Sequence, residues 1–317
     1  MLNLIYLAGG LVIILVSAVW LVDGASSLAK RAGVPDMVIG LTIVALGTSA
    51  PEFSVDIFSA VKGASGIALG NVLGSNICNI LLILGVSSVI RPLGISLNTK
   101  WREIPLSLLA AVVLFIMLND SLFNGPGTIN SITRSDGLLL LCFLLIFLAY
   151  TFVMALRGGV DSVADVKLMP MWKSLLFVAA GFAGLFAGGK FLVDGAVNIA
   201  RIIGLSEKVI GITIVTVGTS LPELATSAVA ACKHKADIAV GNVIGSNILN
   251  IFFILGATSL IRPLAPDQPV NVDIFMAVFA SFMLFIVTIT FRQRTIDRIE
   301  GAGFIAMYIG YITYLLV

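Results

Sequence analysis

Two copies of one polar stretch interrupt an otherwise apolar chain. The first reads Gly-Thr-Ser-Ala-Pro-Glu at Gly47–Glu52 and Gly-Asn-Val-Leu-Gly-Ser-Asn at Gly70–Asn76. The second reads Gly-Thr-Ser-Leu-Pro-Glu at Gly218–Glu223 and Gly-Asn-Val-Ile-Gly-Ser-Asn at Gly241–Asn247. The copies are 171 residues apart, and more than half of the positions from 40 to 93 are identical in the second copy without a gap. The chain therefore consists of two related halves.

The composition predicts an integral membrane protein. The chain is 59% hydrophobic and 11% charged, with a mean hydropathy of +1.10. A soluble domain is only about half apolar and about a quarter charged. The apolar runs are long and joined by short polar links, which favours spanning helices over barrel strands. The three cysteines show neither a disulfide framework nor metal-ligand spacing. We find no phosphate-binding loop and no nucleophile with a base, so we expect neither an enzyme nor a nucleic-acid partner.

The predicted fold class is all-α, with ten transmembrane helices. Their approximate ranges are 3–26, 36–62, 66–90, 102–119, 136–156, 172–200, 208–233, 237–261, 272–291 and 300–317. The first five-helix repeat covers 1–156, a cytoplasmic linker covers 157–171, and the second repeat covers 172–317. Because each repeat has an odd number of helices, the second must be inverted in the membrane. With both termini outside, the cytoplasmic links hold 13 Lys and Arg against 5 in the outer links, as the positive-inside rule requires.

The first motif predicts a broken helix with oxygen ligands on one face. Pro51 has no amide hydrogen and crowds the carbonyl of Gly47, so we expect a break between Ala45 and Pro51 that frees backbone carbonyls. Such a break is tolerated in a bilayer where it lines a cavity or where other groups satisfy it. Thr48, Ser49 and Glu52 share roughly one face with those carbonyls.

The second repeat has the same features in its seventh helix. There Pro222 follows Thr219 and Ser220 and precedes Glu223. We therefore expect an equivalent break in this helix.

Polar stripes occupy the third and eighth helices. The first stripe is Asn71, Ser75 and Asn79, and the second is Asn242, Ser246 and Asn250. Folding the halves about a pseudo-two-fold axis brings these stripes to the two broken helices. All the candidate ligands are oxygens, which favours Ca²⁺ or Na⁺ over Zn²⁺ or copper.

Structural roles account for many polar residues in spanning helices. Ser and Thr often bond back to their own helix, and Asn often joins helices. Glu52 and Glu223 differ from these, because an unpaired carboxylate at mid-membrane costs about 3 kcal/mol or more and marks a functional site by default.

These paired motifs resemble the α-repeats of the Ca²⁺/cation antiporter superfamily, specifically its Na⁺/Ca²⁺ exchanger branch. The resemblance covers essentially the whole chain and implies alternating access to one site that binds Ca²⁺ or Na⁺ in turn, without a cofactor. It implies that Glu52 and Glu223 bind both ions and that Thr48 and Thr219 add oxygens to the Ca²⁺ site. It also implies that the first and sixth helices slide as a gate. The residues it assigns to flanking Na⁺ sites or to the middle of the site are Ser49, Ser75, Ser220, Ser246, the carbonyls of Ala45 and Thr216, and Asn79 and Asn250.

Two departures from the family pattern bear on ion coupling. Some relatives carry Asp at the position of Asn250, so this chain lacks a possible third carboxylate there. Asp56, however, lies one turn beyond Glu52, and its repeat counterpart is Ser227. From the sequence, Asp56 either reaches the ion path or pairs with a base near the membrane edge.

The predicted function is a secondary antiporter that exchanges Na⁺ for Ca²⁺ in the cell membrane as a single chain. A Ca²⁺/H⁺ antiporter of the same fold is the nearest alternative, and a dependence on K⁺ also stays open. A passive cation channel or a non-transporting scaffold fits the broken, duplicated helices less well.

Overall fold

The computed structural model describes residues 2–63, 65–125, 127–157, 168–202, 216–266, 270–290 and 295–316. Helices dominate this part of the chain. In chain order they are α1 (Leu2–Ala32), α2 (Asp36–Thr48), α3 (Ala50–Lys62), α4 (Ser65–Ile90), α5 (99–117), α6 (Asp120–Asn124), α7 (Arg134–Arg157), α8 (Met171–Ile202), α9 (Thr216–Thr219), α10 (Leu221–Cys232), α11 (Ala236–Ile261), α12 (Asn271–Thr290) and α13 (Arg298–Leu316). Two short strands, β1 (Leu93–Gly94) and β2 (Thr295–Ile296), form an antiparallel pair.

Six of the described helices are long and apolar enough to cross a membrane. They are α1, α4, α7, α8, α11 and α12, and the bent pair α2–α3 makes seven if it counts as one span. Each predicted span contains helical structure, although residues 208–215 of the seventh lie outside the described residues. The chain is thus a multi-pass helical protein.

The predicted helix break lies at Ser49. Its φ of −84° and ψ of 7° leave the α-helical region, and α2 and α3 meet there at 44°. Ser220 repeats the break between α9 and α10, with φ −88° and ψ 5°. Pro51 and Pro222 both stand in the first turn after the break, where a missing amide hydrogen costs nothing.

The Ala45 carbonyl, which the family resemblance assigns to a flanking Na⁺ site, lies before the break. The break falls after this residue, so its carbonyl still accepts the amide of Ser49 at 3.0 Å and the hydroxyl of Thr48 at 3.3 Å. This carbonyl is therefore hydrogen-bonded, and any ion ligation would use it alongside these hydrogen bonds.

Helices α1 and α8 pack side by side over their length in an antiparallel arrangement. Small residues allow the contact, because a Cβ on Gly181 would lie 2.9 Å from the amide nitrogen of Leu21, and one on Gly188 would lie 2.9 Å from the carbonyl of Gly10. With 31 residues, α1 is about 46 Å long, which exceeds the thickness of a bilayer core. The predicted first and sixth helices are thus long and adjacent.

Links predicted for the cytoplasmic side contact one another. The Lys233 ammonium pairs with Asp23, and the Lys235 ammonium pairs with Asp36 at 2.8 Å. Arg91 lies 2.7 Å from the Nε2 atom of His234. The β1–β2 pair also joins two of these links, after α4 and before α13.

Links predicted for the outer side form a second set of contacts. Ile132 and Leu264 exchange both backbone hydrogen bonds, at 2.9 and 3.0 Å. The β1–β2 pair and this bridge are related by the repeat, because Leu93 and Leu264 are equivalent and each pairs with the link before the other half's last helix.

Gly245 sets the close approach of α11 to α2. A Cβ there would lie 2.7 Å from the Leu41 carbonyl and 2.8 Å from the Ala45 Cβ. We expect Gly245→Val to destabilise the protein by about 1–3 kcal/mol or more through overpacking, seen as a lower unfolding midpoint in detergent. Gly303→Val on exposed α13, where a Cβ would meet no atom of the described residues within 4 Å, controls for valine in a helix. Equal midpoints for the two variants would contradict this packing argument.

Candidate ion-binding site

Each half of the chain holds the glutamate of the other half. The Ser49 hydroxyl donates to Glu223 Oε1 at 3.0 Å, and the Ser220 hydroxyl donates to Glu52 Oε1 at 3.4 Å. Both glutamates are 1% exposed. Because the two breaks place Ser49 and Ser220 at helix starts, each hydroxyl is free of the usual bond to its own helix. The two predicted broken helices therefore form one site.

The serines of the polar stripes join the same network. Ser49 contacts Ser246 at 3.0 Å, and Ser220 contacts Ser75 at 3.4 Å. All four hydroxyls are buried. The sequence-predicted Ser49, Ser75, Ser220 and Ser246 thus surround the two glutamates.

Four asparagines hold α4 against α11 through reciprocal hydrogen bonds. The Asn76 amide donates to the Asn247 carbonyl, and the Asn247 amide donates to the Asn76 carbonyl, both at 3.3 Å. The Asn79 amide donates to Asn247 Oδ1, and the Asn250 amide donates to Asn76 Oδ1, both at 2.9 Å. These reciprocal bonds orient the side chains of Asn79 and Asn250, since their nitrogens are committed to the clamp.

π-helical turns begin at Asn79 and at Asn250 and continue to Leu84 and Leu255. Such turns inside α-helices are frequent at functional sites. They occur at equivalent positions of the two halves and begin at the last clamp residue of each helix.

Four oxygens of the cluster remain without hydrogen-bond donors in the described part of the chain. They are Glu52 Oε2, Glu223 Oε2, Asn79 Oδ1 and Asn250 Oδ1. All four residues are 1% exposed, and they form two repeat-related pairs. Leaving such acceptors bare in a buried site is unfavourable, whereas a cation satisfies several of them at once. The residues present therefore fit an oxygen-coordinated cation.

The negative charge of the cluster also favours a bound cation. No basic side chain of the described residues forms an ion pair with Glu52 or Glu223. A buried carboxylate is stabilised by a paired charge or a metal. Two such carboxylates match one divalent cation in charge.

The hydrogen bonds of the Thr48 side chain are described by the structure, whereas for its counterpart Thr219 the structure gives the burial. The Thr48 hydroxyl donates to Asn242 Oδ1 at 3.0 Å as well as to Ala45. Thr219 is partly buried beside the second break, and the main chain of Thr216 begins α9. The side chain of Thr216 lies outside the described residues.

Asn76 and Asn247 are the site residues that sequence reasoning did not assign. Both lie in the quoted motif, at its final position. Their neighbours on the stripe received roles, but the period of four residues left Asn76 and Asn247 off that face. Identity of the motif in both halves was the signal that could have found them.

Apolar helices around a buried, duplicated acidic cluster define a multi-pass membrane protein with the architecture of a transporter. The chain belongs to the sodium/calcium exchanger protein family, whose sequence pattern matches residues 2–153 and 173–317. This membership makes it a cation antiporter rather than an enzyme.

Individual relatives match the chain over nearly its full length. CaxA of Alkalimonas amylolytica is 37% identical over 98% of each chain. The sodium/calcium exchanger MaX1 of Methanosarcina acetivorans is 31% identical over 99% of this chain and 98% of its own. A solved structure of the sodium-calcium exchanger NCX_Mj superposes with a TM-score of 0.84 at 33% identity, covering 99% of both chains.

Proposed function

We propose that this protein exchanges Na⁺ for Ca²⁺ by alternating access at the site between Glu52 and Glu223. The observation that carries the proposal is the set of four buried, repeat-related oxygens without donors, two from carboxylates and two from amides. Ca²⁺ takes six to eight oxygen ligands. Hydroxyl oxygens of Thr48 and Thr219 add to the four, as the family resemblance implies.

Competition couples the two ions. Na⁺ and Ca²⁺ share Glu52 and Glu223, so each ion binds well only after the other has left. Na⁺ occupies flanking positions near Ser49, Ser75, Ser220 and Ser246, with the carbonyls of Ala45 and Thr216. The gate moves only when the bound ions balance the charge of the site. Exchange follows from this condition, because coupling requires that the ions bind the two states of the protein with different affinities.

The proposed topology has ten spans in two inverted halves with both termini outside. Its support is the sorting of link contacts, since predicted cytoplasmic links touch one another and so do predicted outer links. We propose that α1 and α8 slide together as the gate. Their length and their small-residue contact favour sliding over unpacking. The phenyl ring of Phe182 on α8 lies against Gly47 at the first break, so sliding would reach the site.

Flux measurements in proteoliposomes test the function. We expect rapid Ca²⁺ uptake under an outward Na⁺ gradient, with no uptake when only a pH gradient or a K⁺ gradient is imposed. The hydroxyl-rich flanks support Na⁺, since a proton needs no such set of oxygens. Equal Ca²⁺ flux without Na⁺ under a pH gradient would instead establish a Ca²⁺/H⁺ antiporter. An added requirement for K⁺ would establish a K⁺-dependent exchanger.

The same preparation separates an exchanger from a channel. Exchange accelerates when a transported ion is present on the opposite side, and it saturates. Flux that does not depend on the ions on the opposite side of the membrane would contradict alternating access and indicate a passive pore.

A further inference from the structure

The two halves of the site differ in charge at one pair of equivalent positions, Asp56 and Ser227. In the second half, the Asn242 amide donates to the Ser227 hydroxyl at 2.9 Å. In the first half, the Asn71 amide donates to Asp56 Oδ1, also at 2.9 Å. The same amides lie 3.4 and 3.5 Å from the carbonyls of Glu223 and Glu52. Asp56 thus replaces a hydroxyl in an unchanged framework and adds one carboxylate to one half only.

Asp56 has a second oxygen without a hydrogen bond. The residue is 0% exposed, and Oδ2 meets no donor from the described residues. No described Lys or Arg forms an ion pair with it, so the predicted alternative of a basic partner near the membrane edge is wrong for the described part of the chain. A buried carboxylate in a spanning segment without such a partner marks a functional position.

The carboxylate of Asp56 lies beside the central cluster, one helical turn beyond Glu52. Four residues along α3 carry it about 6 Å beyond Glu52. No three acidic, His or Cys side chains among the described residues converge on one metal position. Asp56 is therefore not a third ligand of the ion between Glu52 and Glu223. It lies toward the end of α3 where Gly63 approaches Arg262, which is the outer end in the proposed topology.

We propose that Asp56, oriented by Asn71, forms an additional site for a monovalent cation on the outer side of the central site. The inference rests on the proposed function and deepens it. One carboxylate balances one monovalent charge, whereas a divalent ion there would retain an excess charge in a medium of low dielectric. Ser227 offers no charge on the inner side, so the monovalent cation is held more strongly on the path to the outside.

Sided transport measurements test this asymmetry. Asp56→Ser gives the first half the side chain of the second. We expect the half-saturating outside Na⁺ concentration to rise by about tenfold, because a charge in contact with the cation is lost, while the inside value stays unchanged. Asp56→Asn preserves size and a hydrogen-bond acceptor and should give the same result. Asp136→Asn is the matched control and should leave the outside value unchanged, because it removes an acidic charge on the predicted outer side at a residue that contacts Thr133 rather than the site.

Three outcomes would overturn the proposal. A wild-type response to outside Na⁺ in Asp56→Asn would show that the charge is not needed. Equal shifts on both sides would indicate a general structural defect. An altered dependence on outside pH with unaltered Na⁺ dependence would assign the carboxylate to a proton.

Direct binding keeps this test separate from the proposed function. In the Glu52→Gln/Glu223→Gln background, we expect purified protein in detergent to retain one equivalent of ²²Na⁺, which is lost when Asp56→Asn is added. Absence of this binding, with Na⁺-driven Ca²⁺ flux intact in the wild type, would overturn the Asp56 site alone. Failure of the wild-type flux would overturn the exchange function, and the binding measurement would still decide the Asp56 site.

Discussion

Glu52→Gln and Glu223→Gln are each expected to reduce Ca²⁺ flux to the level of protein-free liposomes. Either change preserves the side-chain volume and the acceptor for the serine hydroxyl of the other half. It removes one of the two charges that balance the divalent ion, so Ca²⁺ affinity should fall by about 100-fold or more. The measurement is uptake of ⁴⁵Ca²⁺ under an outward Na⁺ gradient.

A stability measurement separates loss of binding from misfolding. Wild-type protein should unfold at a higher temperature in Ca²⁺ than in chelator, because a ligand of the folded state stabilises it. Both Gln variants should lose that difference and unfold no earlier than the wild type in chelator, since a bare buried charge has been removed. Asp136→Asn in the first turn of α7 is the control, because its side-chain oxygen can still accept the hydrogen bonds from Thr133. Wild-type Ca²⁺ flux in either Gln variant would refute the proposed site.

Asn76→Ala is expected to produce the largest loss of stability among polar substitutions. Asn76 donates to the Asn247 carbonyl and accepts from the Asn250 amide. Its removal leaves the buried side-chain amide of Asn250 without its acceptor, at a cost of about 1–3 kcal/mol, and takes one of two hydrogen bonds from the Asn247 carbonyl. It also frees Asn250 to turn, so the oxygen offered to the ion loses its orientation. We expect a lower unfolding midpoint in detergent and a large loss of Ca²⁺ flux.

The reciprocal clamp also predicts how the effects of two substitutions combine. Asn76→Ala and Asn250→Ala remove the same hydrogen bond, from the Asn250 side-chain amide to Asn76 Oδ1, so the double variant should cost less than the sum of the single variants. Asn98→Ala is the matched control, because Asn98 is exposed and its side chain makes no cap hydrogen bond. Strict additivity, or an effect of Asn98→Ala equal to that of Asn76→Ala, would contradict the reciprocal clamp.

The hydrogen bonds of the site are nearly symmetric between the two halves, although the proposed exchange moves Na⁺ and Ca²⁺ in opposite directions. Hydrogen bonds of the same kind occur in both halves, from serine to glutamate and from asparagine to asparagine. Symmetry lets one set of ligands serve two orientations of an inverted pair. The difference between Asp56 and Ser227 breaks this symmetry in charge but not in the hydrogen bond from the asparagine, so we propose that it makes the outside and inside Na⁺ affinities differ.

Much of the site was accessible from sequence because the chemistry is local and duplicated. Pro51 and Pro222 predicted the breaks, and the structure has them at the preceding serines. Glu52 and Glu223 were recognisable because an unpaired carboxylate is costly in an apolar segment. The freed carbonyl at Ala45 was a wrong prediction, because helix geometry persists up to Ser49 and keeps that carbonyl bonded.

The sequence by itself determined the two halves, the helical membrane architecture and the oxygen chemistry of the site. These follow from the composition, from the positions of the prolines and from an ungapped repeat. All three can be recognised without knowing which distant residues pack together. Only the tertiary structure decided which residues meet: Ser49 with Glu223, Asn76 with Asn247, and Asp56 with Asn71 rather than with a base. Two of those pairs are separated by more than 170 residues. Their contact depends on how the two halves pack against each other, which no local pattern encodes.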